Sequence, residues 1–316
     1  MKLRINIIII AVLALQRCAP TEPETPLVKA DMETTLIEES FLIEAQELIK
    51  IIDRPNIKLV DFRKEAPYAL EHIPDAVNIG RSHVQNDNFD YNGMMASKDQ
   101  MEILLGDLGI SSEDTLVVYD DNGLCNAARL WWILQNYDFD QLKLLHGGLT
   151  SWKTAGGKVT TNIPNPEKSV FKLTDNPSMK FYISKEDVQA NIGLNTTIID
   201  TRTADEYSGK RQKNGALKGG RIPGGINIDW AEAINHNGDK KMRSNEELLD
   251  IYGKLNLADD EPVIVYCHTG MRSAHTTFVL TQLIGHLNVK NYDGSWTEWS
   301  RFDELPFEQD TLTVIQ

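Results

Sequence analysis

The chain has 316 residues, of which 41% are hydrophobic and 25% charged, with a formal net charge of −14. That length accommodates two domains of ordinary size and the composition argues against disorder. The acidic balance disfavours nonspecific nucleic-acid binding, although one local cationic pocket overrides an acidic average for a small anion.

The chain opens MKLRINIIIIAVLALQRCAPTEPETP. Lys2 and Arg4 precede an apolar run from Ile5 to Leu15. A membrane span needs about 20 residues, so the run suits the core of a signal peptide. Cys18 and a Pro/Glu/Thr stretch follow. The pattern resembles a bacterial lipoprotein signal with Cys18 as the lipidated residue, although Gln16-Arg17 stands where small residues are usual. Simple secretion or a retained anchor is the first alternative, a cytosolic protein the second. The expectation is an exported, cell-envelope protein that meets the membrane only through an N-terminal lipid, with residues 1–29 as signal and tether.

Beyond the tether the sequence repeats itself. IKLVDFR (Ile57–Arg63) matches TTIIDTR (Thr196–Arg202), and HIPDAVNI (His72–Ile79) matches RIPGGINI (Arg221–Ile228). LVVYDDNGLCNAARLWWIL (Leu116–Leu134) matches VIVYCHTGMRSAHTTFVL (Val263–Leu280), and GGLTSW (Gly147–Trp152) matches GSWTEW (Gly294–Trp299). Four matched segments in one order indicate a tandem duplication. The short β-branched runs KLV, LVVY, TIID and VIVY suit strands buried on both faces. Helical periodicity covers Gln46–Ile52, Met101–Leu108 and Asn126–Gln135 in the first copy, and Lys185–Ala190, Asn245–Leu255 and Ser273–Ile284 in the second. Alternating strands and helices predict an α/β fold in which each copy is a mostly parallel sheet flanked by helices. A segment rich in Pro, Asn and Thr separates the copies, which puts a first domain at 30–160, a linker at 161–178 and a second domain at 179–316.

The three cysteines, Cys18, Cys125 and Cys267, form no CxxC pair, so neither a disulfide framework nor a zinc ribbon is supported. Cys267 ends the VIVY strand and is followed by His268, Thr269, Gly270, Met271, Arg272 and Ser273, where a helix begins. Ligands bind at this strand-to-helix end of open α/β sheets. Inward-pointing backbone N–H groups and the helix dipole make an anion cradle that depresses a cysteine's pKa. Gly270 permits the tight turn and Arg272 adds positive charge at the rim. A lone cysteine at a strand end is most often a small buried residue; the company it keeps here reverses that reading. In the first copy Asp120 faces Cys267 and Cys125 faces Arg272. A carboxylate in the cradle would repel anions, so the first domain reads as non-catalytic and Cys125 as a bystander.

The duplicated plan, the Asp-x-Arg and HIPxAxNI segments, the CHTGMR loop and the terminal YDGSWTEW resemble the two-domain rhodanese family of sulfurtransferases across residues 36–305. The resemblance implies a catalytic second domain, a site near the domain interface and Cys267 as the persulfide-forming residue. Within the family the loop and the SWTEW ending are most similar to thiosulfate sulfurtransferases. Four residues separate Cys267 from Arg272, one fewer than in related Cys-x5-Arg phosphatases, which favours a sulfane sulfur over a phosphate. The implied reaction is a double displacement: Cys267 takes the outer sulfur of thiosulfate, sulfite leaves, and a cyanide or thiol acceptor discharges the persulfide. The small anionic donor would be held by the loop N–H groups of His268 to Ser273, with Arg272 gripping the sulfonate bidentately; no metal or organic cofactor is required. Donors such as 3-mercaptopyruvate or polysulfide, a slow sulfur carrier or sensor, and a phosphatase are the competing readings.

This chain departs from the animal-type members. Glu206 stands where they carry Arg, and Thr269 where a basic residue is frequent, and both weaken the anion site. Lys210, Arg211 and Lys213 form a charge run in the second domain's insertion. Such a run is usually a solvated face; the sharper reading is a substrate-steering rim, with Arg211 as its candidate. Arg202 is expected to pair with a carboxylate, Arg221 to be structural or rim, and His72 and His275 to be structural hydrogen-bonders. Trp131 and Trp132 read as core and domain interface, and Trp296 and Trp299 as core, with walling of the pocket as the alternative.

Overall fold

The computed structural model describes residues 40–258 and 260–310. Cys18 and the whole signal-like segment lie outside them. Among the described residues no helix is long and apolar enough to cross a membrane.

The first copy runs β1 (Leu42–Ile43), α1 (Ala45–Ile51), β2 (Ile57–Asp61), α2 (Glu65–Leu70), β3 (Val77–Asn78), α3 (Lys98–Asp107), β4 (Thr115–Tyr119), α4 (Cys125–Asn136), β5 (Leu142–Leu145) and α5 (Gly148–Thr154). The second repeats the plan with β6 (Tyr182–Ile183), α6 (Lys185–Asn191), β7 (Thr197–Asp200), α7 (Ala204–Tyr207), β8 (Ile226–Asn227), α8 (Asn245–Tyr252), β9 (Val263–Tyr266), α9 (Met271–Phe278), β10 (Val289–Tyr292) and α10 (Ser295–Trp299). Each copy forms a five-stranded sheet, ordered β1-β5-β4-β2-β3 and β6-β10-β9-β7-β8. Every pairing is parallel.

Successive strand residues point to opposite faces, so a run buried at every position needs cover on both sides. In β4, Leu116 and Val118 join the cluster around α3 and α4, while Val117 and Tyr119 join the opposite one around α1 and α5. β9 divides likewise: Val263 and Val265 face one core, Ile264 and Tyr266 the other. The first of these clusters is continuous across both copies. Its bridge is α4 against α9. Every residue of α4 except Asn126 is buried, as a helix apolar on all sides must be. The two helices pack directly against each other. His275 Nε2 donates to Gly123 O at 3.1 Å, Arg129 Nη1 to Gly270 O at 3.3 Å, and the Trp131 ring meets Phe278 edge-on at 4.9 Å.

α3 begins at Lys98, before the expected Met101, because a polar cap starts it, and α8 begins at Asn245 as expected, also on a polar cap. Ser97 accepts from Gln100 N–H and Ser244 from Glu247 N–H, both within capping boxes. α9 opens at Met271, and its predicted last turn, Val279–Ile284, is π-helical. The stretch expected as a linker has no regular secondary structure but is strapped to the first domain. Phe171 and Leu173 are buried, Ser169 N–H donates to Gly106 O at 2.8 Å, and Leu173 N–H donates to Glu102 at 2.9 Å.

Candidate active site

The register of the second sheet sets Asp200 beside Tyr266, one residue before Cys267. Asp200 accepts from Arg202 N–H, Nε and Nη2, and Arg202 Nη2 also donates to Gly220 O at 2.7 Å. The Asp-x-Arg turn therefore braces the strand ends beneath the loop, with Arg202 lying over Trp296. Arg202 pairs with a carboxylate and makes a structural brace. Asp61 and Arg63 repeat the arrangement in the first copy.

The loop is held from behind by the C-terminal repeat segment. Ser295 Oγ accepts from Cys267 N–H and Gly270 N–H, both at 3.1 Å, while Trp296 N–H and Thr297 N–H donate to the carbonyls of Cys267 and His268. Gly270 has φ +73°, and a side chain there would meet Asp293 at 2.7 Å, so glycine is required both by conformation and by approach. The Gly270 N–H belongs to Ser295, which removes it from the expected cradle. The amides of Thr269 and Ser273 are the ones directed at the Cys267 sulfur.

Cys267 is fully buried. Burial pushes its thiol up, but the positive charge of Arg272, the Ser273 hydroxyl and the Ser273 and Thr269 amides outweigh it and hold the pKa below the ordinary thiol value. The Ser273 hydroxyl has no other protein partner. His268 Nε2 donates to Asn214 O at 2.8 Å, and burial drives its imidazole down to about 4, so it is neutral. His275 is buried, neutral and bonded to Gly123 O; His72 lies between Tyr68 O and Asn162 O. Both are structural hydrogen-bonders. Arg221 pairs with Glu308 and Asp310 of the C-terminal segment.

Arg272 departs from expectation. Its two terminal nitrogens donate to Glu206, Nη1 to Oε2 at 2.8 Å and Nη2 to Oε1 at 2.9 Å. The bidentate fork foreseen for a sulfonate is thus engaged by a carboxylate of the same protein, because α7 delivers Glu206 to the loop. Arg211 is exposed, its backbone N–H tied to Asp205 O. The electrostatic link from the insertion to the site runs through Lys213. Partial burial and then the neighbouring Arg272 push its ammonium down, while Glu206 and Cys267 oppose them. Within the charge run, Lys213 is the member coupled to the charges of Arg272, Glu206 and Cys267. Met271 is buried at the head of α9, and Thr269 is partly covered by the first domain, where Gly93 packs against it.

In the first copy the Asp120 carboxylate fills the equivalent cradle. It accepts from the amides of Asn122, Leu124, Asn126 and Ala127 at 2.7 to 3.1 Å. Cys125 is buried and its thiol is pushed up to about 12 by burial. Residues missed in the sequence include Ser295 and the buried Arg129–Asp293 pair, 2.6 Å apart, which joins the first domain to the base of the loop. The repeated GSWTEW segment was the available signal for the first; nothing marked the second.

The profile of the rhodanese-like domain matches residues 44–155 and 184–302. A thiosulfate sulfurtransferase of Corynebacterium glutamicum is 31% identical over 276 residues, spanning 84% of this chain and 90% of its own. Among solved structures, SseA of Escherichia coli, described as a 3-mercaptopyruvate sulfurtransferase, superposes with a TM-score of 0.71 at 26% identity, covering 81% of this chain and 99% of that one. An anaerobic ergothioneine biosynthesis enzyme of Chlorobium limicola shares the fold at a TM-score of 0.75 and 23% identity, covering 85% of this chain and 70% of its own. With two matched domains and a homologous enzyme over most of its length, the chain belongs to the rhodanese family, as a two-domain sulfurtransferase of the thiosulfate/3-mercaptopyruvate type.

Proposed function

We propose that the protein moves a sulfane sulfur from thiosulfate to a thiophilic acceptor, a thiol or cyanide, through a persulfide on Cys267. The observation that carries this reading is the Cys267 thiol itself, held below its ordinary pKa at the head of α9 by Arg272, Ser273 and the Thr269 amide. A depressed thiol pKa lessens the need for a base, which fits the neutral His268. The Cys267 thiolate attacks the outer sulfur of thiosulfate, the S–S bond breaks, and sulfite leaves with the bonding pair. The acceptor then attacks the outer sulfur of the persulfide and regenerates the thiolate. His268 to Ser273 form the binding loop, the charge run with Arg211 and Lys213 is a substrate-steering rim, and the first domain, with Asp120 in its cradle, is a non-catalytic partner.

Intact mass after incubation with thiosulfate tests this. The expected gain is one sulfur atom, reversed by cyanide and absent in Cys267→Ser. A folded protein that gains nothing from thiosulfate but does from 3-mercaptopyruvate would move the donor to the class named for the Escherichia coli structure. We further propose that the chain is exported and tethered through a lipid on Cys18; export without fatty-acid labelling, or labelling that survives Cys18→Ser, would refute the tether.

A further inference from the structure

The Glu206–Arg272 contact is built rather than incidental. Glu206 is only 3% exposed and sits in the first turn of α7, where its carboxylate also accepts from the Thr203 hydroxyl at 3.1 Å. Burial raises its pKa, but Arg272 more than compensates, so the carboxyl lies at about 2 and is ionised throughout the working range. Arg272 is therefore matched by Glu206, as Arg202 is by Asp200. Among the described residues Lys213 has no ion pair, and the charge of Arg81 reaches it from the first domain, where Arg81 Nε donates to Asn126 Oδ1 at 2.9 Å. A guanidinium has five N–H donors. Two of Arg272's go to Glu206, so an arriving donor can still bond it, but only beside a fixed carboxylate.

We propose that Glu206 is a specificity-determining residue: by sharing Arg272 it penalises a second negative charge on the sulfur donor, so that thiosulfate binds less tightly than it would without that carboxylate, and a singly charged donor loses less. The proposal rests on the reading of Cys267 as the sulfur-accepting nucleophile with the donor's anionic end at Arg272. Thiosulfate is a dianion and pays the full repulsion. A donor with one carboxylate, such as 3-mercaptopyruvate, pays less.

The test is Glu206→Gln, which preserves shape and removes charge. Donor KM is measured for thiosulfate and for 3-mercaptopyruvate, and Cys267 alkylation is followed in parallel with iodoacetate and iodoacetamide. The alkylation ratio cancels the thiolate fraction and reads only how the site treats an added charge. Removing one charge within several ångströms of the bound anion should lower the thiosulfate KM about tenfold, and the 3-mercaptopyruvate KM by clearly less. The iodoacetate-to-iodoacetamide ratio should rise severalfold. Glu206→Asp keeps the charge and should stay near the parent in that ratio. If Glu206→Gln does not fold, Glu206→Ala carries the same expectation. Unchanged KM values and an unchanged ratio would overturn the proposal, as would an equal rise in Glu206→Asp. If neither donor is turned over, the sulfur-transfer reading fails, but the alkylation ratio still decides the role of Glu206.

Discussion

Asp120 and Cys267 occupy the same position in two copies of one loop, and the first shows what the second is shaped to hold. Asp120 places its two carboxylate oxygens on four backbone amides. The amides of Thr269 and Ser273, the counterparts of Asn122 and Asn126, are the ones aimed at the Cys267 sulfur. Cys267→Asp should therefore give a well-folded, inactive protein whose cradle is filled from within. Charge-assisted hydrogen bonds to that carboxylate should make it more stable than Cys267→Ser by roughly 1 kcal/mol. Urea unfolding of the two variants checks this, and a less stable aspartate variant would mean that the second loop is not shaped like the first.

The buried imidazoles predict acid lability. His268 is held at about 4 and His275 at about 3, chiefly by burial, against an ordinary value of 6.5. On the folded protein they stay neutral where the unfolded chain takes up protons, so stability falls as pH drops below about 6.5 and the loss levels off only below their folded values. By pH 5 the loss should be roughly 2 kcal/mol for each. Glu206 works in a lower window: its depressed pKa contributes stability above its ordinary value of 4.5, lost as pH falls toward about 2. Urea midpoints at pH 7 and pH 5 test the first window, and equal midpoints would refute it.

What the sequence revealed follows from what repeats and what is local. The strands at 57–61, 115–119, 197–200 and 263–266 were legible because burial of their consecutive later residues, on both faces, leaves short apolar runs rich in β-branched residues. Edge strands such as Leu42–Ile43 and Tyr182–Ile183 are two residues long and leave no pattern. Cys267 and its loop were legible from the turn chemistry and the duplication. The engagement of Arg272 by Glu206 was not, because 66 residues separate them and only the placement of α7 brings them together. For the same reason the coupling of Lys213 to Arg272 and Glu206 could not be picked out of the charge run.

The Arg129–Asp293 pair ties the halves together where the loop is anchored. Both side chains are almost wholly buried; Arg129 also donates to Gly93 O and Gly270 O, while Asp293 accepts from Met95 N–H at 2.7 Å. Removing one partner leaves a buried charge uncompensated, so Arg129→Met should cost about 3–5 kcal/mol in urea unfolding. The double variant Arg129→Met/Asp293→Asn should recover part of that loss. A single variant within 1 kcal/mol of the parent, roughly the value of an exposed pair, would show that the pair is not buried in solution.

Gly93 tests whether the first domain contributes to the chemistry of the second. Its φ is +117°, and a Cβ there would lie 2.8 Å from Thr269 Cβ and 3.0 Å from Thr269 Cα, the residue whose amide faces Cys267. Gly93→Ala must displace either its own loop or the cradle, as well as strain the backbone by about 1–3 kcal/mol. Gly156→Ala supplies the control, since Gly156 also has positive φ, +86°, but a Cβ there meets nothing within 4 Å. Both variants should lose stability through strain, but only Gly93→Ala should lose turnover, by roughly tenfold if the Thr269 amide is pushed out of line. If both variants keep the parent's turnover, the cradle does not depend on the first domain's cover. If both lose turnover equally, the loss reflects strain and not the contact with Thr269.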